Sequence, residues 1–305
     1  MQMKIKAKAK IDTLQVATPI TNVADTSVWS SEEKPYIKEK SEGYKEKDGV
    51  VSIGAVLHPS RTQARYDSSD NMYKFSTYSE VKDMMLEDLT VEVKDLVEIN
   101  RLDICIDFKE PFRELLKVSH CITGLYAMET KAQKVWKNVG FWNDKVNGFN
   151  VKKREKWLTI YDKELESENN SIYKTRFEFR FIRQGTGASI DEVKKLNEVV
   201  QILDRLTGNL GAYEERMAES LYMNYMEQLA EGKVKNFTQF VNLNKDIIAT
   251  SNMCEILYKK VGLKGSFKKW ISKYRQANSI EFVSKTELNK FISVMKKAIK
   301  EFKKA

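Results

Sequence analysis

The sequence predicts an α+β protein, with an antiparallel-sheet body over residues 1–187 and a helical region over residues 188–305. Three observations lead there. Segments 99–108 (INRLDICIDF) and 175–182 (TRFEFRFI) alternate strictly between apolar and charged residues, the period-two signature of strands with two unlike faces. Residues 134–142 and 156–163 read as two further strands around an Asn/Gly-containing turn at 143–150, a hairpin signal. Beyond Gly187 the apolar spacing changes to the helical period, and strands followed by a run of helices argue for segregated classes.

In chain order, residues 11–17 (IDTLQVA) read as a first strand, 24–48 as a polar, irregular connection with a few bulky residues such as Trp29 and Tyr36, and 50–57 as a second strand. A turn cluster at 67–71 precedes a short strand at 72–76. Val81, Met84, Met85, Leu89, Val93 and Leu96 recur at helical spacing, which predicts one helix over 78–97. In segment 99–108, Leu102, Ile104 and Ile106 share one face, and Arg101, Asp103, Cys105 and Asp107 the other. A helix follows Pro111, and in segment 175–182 Phe177, Phe179 and Phe181 oppose Arg176, Glu178 and Arg180. Helices are then expected at 190–206, 213–230, 237–248, 253–261 and from about 286. The last is basic and amphipathic, with Leu288, Phe291, Ile292, Met295, Ile299 and Phe302 in a stripe and Lys290, Lys296, Lys297, Lys300 and Lys303 elsewhere.

Composition bounds the function. With 305 residues, 42% hydrophobic, 31% charged and only 4 prolines, the chain can bury a core and is not of a disordered or collagen-like class. Its longest nearly uncharged apolar stretch, 49–57, is about half of the roughly 20 residues that a membrane-spanning helix requires. The opening MQMKIKAKAK lacks the apolar segment and cleavage site of a secretory signal. Cys105, Cys121 and Cys254 are odd in number, have no CxxC spacing, and suit a reducing compartment as core thiols. The expectation is a cytoplasmic protein without a membrane partner. Residues 231–305 hold 17 basic and 6 acidic side chains, net +11, whereas the first 230 residues net −2. A basic C-terminal third suits a polyanion such as nucleic acid, or else a solvated lysine-rich surface.

Several chemistries drop out: GxxxxGK[ST], strand-linked GxGxxG, GxSxG and HExxH are all absent. The GTG at 185–187 reads as a turn, and His58 and His120 stand far apart in no metal-ligand spacing. What remains is a set of charged strands. A face carrying Asp103, Asp107 and Glu178 offers the carboxylate oxygens that Mg²⁺ or Mn²⁺ prefers; the two aspartates are four residues apart on one face. Equally, Arg101 and Arg176 can pair with those acids on a solvated face. Trp157, Thr159, Tyr161 and Lys163 fall on one face of the next strand. A tyrosine with a lysine two residues on can act as a nucleophile, because a nearby cation favours the phenolate; it can also simply pack. The run Lys152, Lys153, Arg154, Lys156 offers phosphate contacts or a solvated loop.

Three blocks in order, NRLDICIDF (100–108), FNVKKREKWLTIYDK (149–163) and TRFEFRF (175–181), resemble the replication-initiation-factor family of rolling-circle plasmids, whose members also include relaxase-like proteins of integrative elements. The resemblance covers residues 12–184 loosely and the helical C-terminus only in general character. It implies a relaxase-like (HUH-like) antiparallel-sheet nicking domain over 1–187 and a helical DNA-binding and dimerisation region over 188–305. Tyr161 matches the nicking tyrosine and Lys163 the lysine after it. Asp103, Asp107 and Glu178 match acidic positions of the active-site sheet, with Arg101 and Arg176 beside them. Asp162, Glu164 and Glu166 make the surroundings of the tyrosine more acidic than the family pattern.

The expected function is therefore site-specific, Mg²⁺- or Mn²⁺-dependent nicking and strand transfer at a plasmid origin through a covalent 5′-phosphotyrosine. Lys163, with Arg101 or Arg176, would stabilise charge developing on the phosphate. The resemblance implies DNA partners (a double-strand origin with a hairpin and a single-stranded nick site), a homodimer and a host helicase. Three alternatives stand beside it: a conjugative relaxase with the same chemistry, a non-enzymatic origin-binding initiator, and a membrane-surface protein using its basic terminal helix.

Overall fold

In a computed structural model of the chain, the residues described are 5–25, 37–39, 45–47, 50–57, 77–129, 135–137, 148–166, 172–184, 188–278 and 282–304. The strands are β1 (Ala7–Pro19), β2 (Ile37–Glu39), β3 (Lys45–Lys47), β4 (Val50–Leu57), β5 (Glu98–Phe108), β6 (Val135–Lys137), β7 (Gly148–Lys153), β8 (Lys156–Asp162) and β9 (Thr175–Ile182). They form one antiparallel sheet in the order β2–β4–β1–β5–β9–β8–β7–β6, with β3 also paired to β4. The helices are α1 (Tyr78–Asp88), α2 (Phe112–Glu129), the single turn α3 (Lys163–Glu166), α4 (Glu192–Gly208), α5 (Leu210–Ala230), α6 (Phe237–Leu243), α7 (Ser251–Lys260), α8 (Phe267–Asn278) and α9 (Lys285–Lys303). The molecule is α+β, with the sheet drawn from the first part of the chain and most helices from the second.

The two faces of the central strands are unlike because of their alternation. Leu102, Ile104, Ile106 and Phe108 of β5 lie level with Phe181, Phe179, Phe177 and Thr175 of β9, so the apolar residues of both strands meet on one side. Against that side pack α2, over β7 and β8, and α9, over β1 and β5, while α4 packs on both helices. Phe291 of α9 stacks on Phe108, with ring centroids 4.6 Å apart and planes 14° from parallel. Every member of the expected stripe, Leu288, Phe291, Ile292, Met295, Ile299 and Phe302, is buried. The apolar face of the terminal helix thus belongs to the core under the sheet and offers nothing to a lipid surface. Among the described residues, no helix is long and apolar enough to cross a membrane.

The remaining helices form an aromatic cluster continuous with that core. Phe237, Tyr258, Phe267, Trp270 and Tyr274 pack edge to face, tilted or stacked, Trp270 and Tyr274 with centroids 4.9 Å apart. The approach of α5 to α2 depends on Gly124, where a Cβ would lie 2.4 Å from the ring of Tyr213.

Four sequence expectations change. The helix expected over 78–97 ends at Asp88, because Thr90 takes a left-handed φ of 53° and buried Asn22 captures the next segment, donating to the Val93 carbonyl (2.9 Å) and accepting from the Val93 N–H (2.8 Å). The strand expected over 134–142 is described only as β6, and the hairpin partner of β8 is β7, with a turn at Arg154 and Glu155 where Arg154 has φ 45°. The helix expected over 237–248 stops at Leu243, where Asn244 folds back onto the Phe240 carbonyl (2.9 Å). Helix α8 has no counterpart in the sequence reading; its buried residues are only Phe267, Ile271 and Tyr274 in a lysine-rich segment. The strand expected at 72–76, the GTG tripeptide and His58 lie outside the described residues.

A candidate active site on the polar sheet face

The face opposite the helices carries the charges. Register places Lys152, Trp157, Arg180, Asp103 and Thr13 in one row across β7, β8, β9, β5 and β1. The next row is Asn150, Thr159, Glu178, Cys105 and Lys10, and the third is Gly148, Tyr161, Arg176, Asp107 and Lys8. The three blocks that carry the family resemblance are therefore adjacent strands, and Asp103, Asp107, Tyr161, Arg176 and Glu178 fall in adjoining rows of one face.

The charged residues at the centre of this face are buried, with Asp103, Asp107 and Arg176 at 0% exposure, Glu178 at 2% and Lys10 at 3%. Charges taken out of water must be paired and hydrogen-bonded. Arg176 donates from Nε to Asp107 Oδ1 (2.8 Å) and from Nη2 to Oδ2 (3.1 Å), and Lys10 pairs with the same carboxylate. Arg180 donates from Nε to both Asp103 oxygens (3.1 and 3.0 Å) and from Nη2 to Glu178 Oε1 (2.8 Å). Arg101 donates from Nε to Asp103 Oδ1 (3.0 Å). Four carboxylates, Asp12, Asp103, Asp107 and Glu178, thus interleave with four cations, Lys10, Arg101, Arg176 and Arg180.

Within this network the acids divide into two sets. Asp12, Asp103 and Glu178 each bring a carboxylate oxygen within 4.8 Å of the other two. Three converging hard oxygen donors fit a divalent cation such as Mg²⁺ or Mn²⁺. Asp107 stands apart, held between Arg176 and Lys10. Asp12 is the member that the sequence reading missed. It is the extra residue at a β-bulge, where the β1–β5 register jumps from Ile11↔Ile104 to Thr13↔Asp103. Simple alternation hides such a residue; a single acid inside strand β1 was the available signal.

Tyr161 lies on this face, 1% exposed. Its phenol oxygen accepts a hydrogen bond from Arg176 Nη1 at 3.4 Å, and Arg176 Nη1 also bonds Asp12, so one guanidinium bridges the tyrosine and the carboxylate cluster. Burial pushes the Tyr161 phenol well above its usual value, with Arg176 opposing that rise. Burial also raises Glu178, to about 8, and the neighbouring charges of Asp103 and Asp12 add to the rise. Asp103 is likewise raised by burial, against Arg101 and Arg180. Burial would raise Asp12 too, but Arg176, Lys163 and Lys10 overcome it and hold the carboxyl at about 2.

Lys163 follows the end of β8 as the first residue of α3, mostly buried, where it pairs with Glu166 and its charge acts on Asp12. The acids that set this neighbourhood apart from the family pattern are engaged locally. Glu166 takes Lys163, Glu164 takes Lys174 Nζ (2.9 Å), and Asp162 Oδ1 accepts the Leu165 N–H (3.1 Å). Of the seven residues singled out by sequence, the structure gathers Tyr161, Arg176, Asp103, Glu178 and Lys163 around Asp12, sets Arg101 on the outer side of Asp103, and pairs Asp107 with Arg176.

No protein-family model and no curated protein matches the chain. Among solved structures, a rolling circle replication initiator protein from Geobacillus stearothermophilus matches with a TM-score of 0.32 and 14% identity, over 58% of this chain and 74% of that one. A likeness of that size carries no weight for activity, which rests on this chain's own residues.

Proposed function

We propose that the protein is a replication initiator of the rolling-circle type that nicks DNA and transfers the strand to Tyr161. The observation that carries this reading is the placement of the Tyr161 phenol beside Arg176 and the Asp12–Asp103–Glu178 carboxylates. The resemblance of the three sequence blocks supports it, since those blocks become the adjoining strands β5, β9, β8 and β7.

In this reading the Tyr161 oxygen attacks the scissile phosphorus in line, the bond from phosphorus to O3′ breaks, the phenol loses its proton and the departing O3′ gains one. The products are a 5′-phosphotyrosine and a 3′-OH that primes synthesis; the reverse reaction reseals the strand, and no nucleotide cofactor is consumed. Asp12, Asp103 and Glu178 would hold the divalent cation, which when bound supplies positive charge to the phosphate oxygens. Arg176 donates to the attacking oxygen and favours its ionised form. Arg101 and Lys163, at the edges of the cluster, offer further positive charge to the phosphate. Asp107 serves the site by holding Arg176 in place.

Nicking belongs to residues 1–187 in this proposal, and DNA recognition and dimer contacts to residues 188–305. Helix α8 suits recognition. It buries Phe267, Ile271 and Tyr274 and exposes Lys268, Lys269, Ser272 and Lys273 together on one surface, after a turn whose Gly262 and Gly265 take φ of 71° and 109°. The homodimer, the hairpin origin and the recruited helicase implied by the family resemblance belong to the same proposal.

A second reading is favoured by one observation: Tyr161 is buried and every acid of the cluster is ion-paired, as expected for a purely structural polar layer. The protein would then be an origin-binding initiator without chemistry. Incubation with supercoiled DNA carrying the protein's own gene and flanks separates the two. Mn²⁺-dependent nicked circles, lost in EDTA and with Tyr161→Phe, support the nickase. Tight binding without nicking, in wild type and variant alike, overturns it in favour of the second reading.

A further inference from the structure

Trp157 is out of place on the polar face. It stands in the same β8 alternation as Thr159 and Tyr161, half-buried, while Phe108, Phe177 and Phe179 of the neighbouring strands face the helices. Its neighbours across the register are both cations, Lys152 on β7 and Arg180 on β9. Lys152 Nζ lies 4.4 Å and Arg180 Cζ 4.9 Å from the ring centroid. The indole Nε1–H donates to the Arg154 carbonyl at 3.0 Å, which ties the ring edge to its own hairpin turn. The two cations differ in their commitments. Arg180 is held by Asp103 and Glu178, whereas Lys152 is exposed.

From this arrangement we infer that Trp157 is a stacking platform for a base of single-stranded DNA, with Lys152 as its phosphate-binding companion. The inference rests on the reading that this face takes a DNA strand, and names how the strand is held beside the chemistry. A fixed aromatic ring flanked by basic side chains is the pairing that single strands use, since every base offers a π-face and every linkage a phosphate. Stacking a base requires Lys152 to leave the ring. Lys152 is exposed, so its contact with the ring contributes less than a stacked base, and the released ammonium gains a phosphate, so the exchange favours binding. Trp157 and Tyr161 are four residues apart on one strand, about 13 Å. The stacked base would therefore lie a few nucleotides from the scissile phosphate and fix which linkage reaches the phenol.

The test uses the full chain in EDTA, where no cleavage intervenes, and a fluorescein-labelled oligothymidine of about 16 nucleotides, the upper end of the site size for one single-strand groove. Trp157→Ala should weaken binding about 5- to 150-fold, the ~1–3 kcal/mol of one base–aromatic stack. Trp157→Phe, which keeps a ring, should stay close to wild type. Lys152→Ala should lower the slope of log affinity against log salt by about 0.7, the share of one phosphate contact on a single strand. In the wild-type protein, an oligonucleotide carrying 5-iododeoxyuridine should photocross-link to the peptide containing Trp157. Unchanged binding by Trp157→Ala, or a cross-link that maps elsewhere, overturns the inference. If cross-linking at Trp157 persists in a protein that never nicks DNA, the platform stands and the nickase reading fails. If Trp157→Ala binds like wild type and still forms the Tyr161 adduct, the platform alone fails.

Discussion

Arg176 and Asp107 form a two-bond pair, Nε to Oδ1 at 2.8 Å and Nη2 to Oδ2 at 3.1 Å, with both side chains fully buried. A pair of that kind contributes little net stability over an apolar substitute, but removing one partner strands the other charge. Asp107→Asn should therefore lower stability by about 3–5 kcal/mol, measured as a shift of the urea midpoint. Mn²⁺ binding should be retained by the fraction that remains folded, because Asp107 is not one of the three converging carboxylates.

Tyr161→Phe should abolish covalent capture of DNA and leave the fold intact. The variant deletes one hydroxyl, which accepts a 3.4 Å hydrogen bond from Arg176, and a change of that kind should alter stability by only about 1 kcal/mol. Duplex origin binding by gel shift should match wild type, which separates a lost nucleophile from a lost interface.

Metal binding is testable without DNA. Electron paramagnetic resonance of free Mn²⁺ should show that Asp12→Asn, Asp103→Asn and Glu178→Gln each weaken binding by at least roughly tenfold, since even residues that only orient metal ligands cost 10- to 100-fold. Arg180→Gln should act in the opposite direction. It removes a cation that now holds both Asp103 and Glu178 and so competes with the ion for the same oxygens. Equal Mn²⁺ binding in all four variants would remove this cluster as the metal site.

Stability should pass through a shallow minimum near pH 7–8. Burial, reinforced by Asp103 and Asp12, lifts Glu178 from its usual 4.5 to about 8. The folded protein therefore keeps a proton that the unfolded chain has lost, and stability falls as pH rises from about 4.5 to 8. Lys10 is lowered by burial from 10.5 to about 7, against the pull of Asp107. Between those values the unfolded chain binds the extra proton, so stability rises with pH. Urea midpoints across this range should show both limbs, with Glu178→Gln flattening the falling limb and Lys10→Met the rising one.

The central strands were legible because alternation was strict: residues 99–108 and 175–182 became β5 and β9 within one residue, and their two faces sorted as read. The stripe of the terminal helix was equally clear, though sequence alone could not say that Phe108 and the sheet would cover it. What was hidden depended on single departures from regularity. Thr90 and Arg154, both with positive φ, ended a helix early and moved a hairpin turn into a basic run. The bulge at Asp12 added a carboxylate to the site, and no period-two reading counts an extra residue. The division between Asp107 and the other acids was also invisible, because register across three strands decides which arginine each carboxylate meets.

The most direct test of the central claim is mass spectrometry of the protein after incubation with Mn²⁺ and supercoiled DNA of its own locus, followed by nuclease and protease digestion. The account predicts a nucleotide joined through a 5′-phosphate to the peptide containing Tyr161, absent in EDTA. Nicked DNA with the nucleotide on another residue, or with no protein attached, would contradict it.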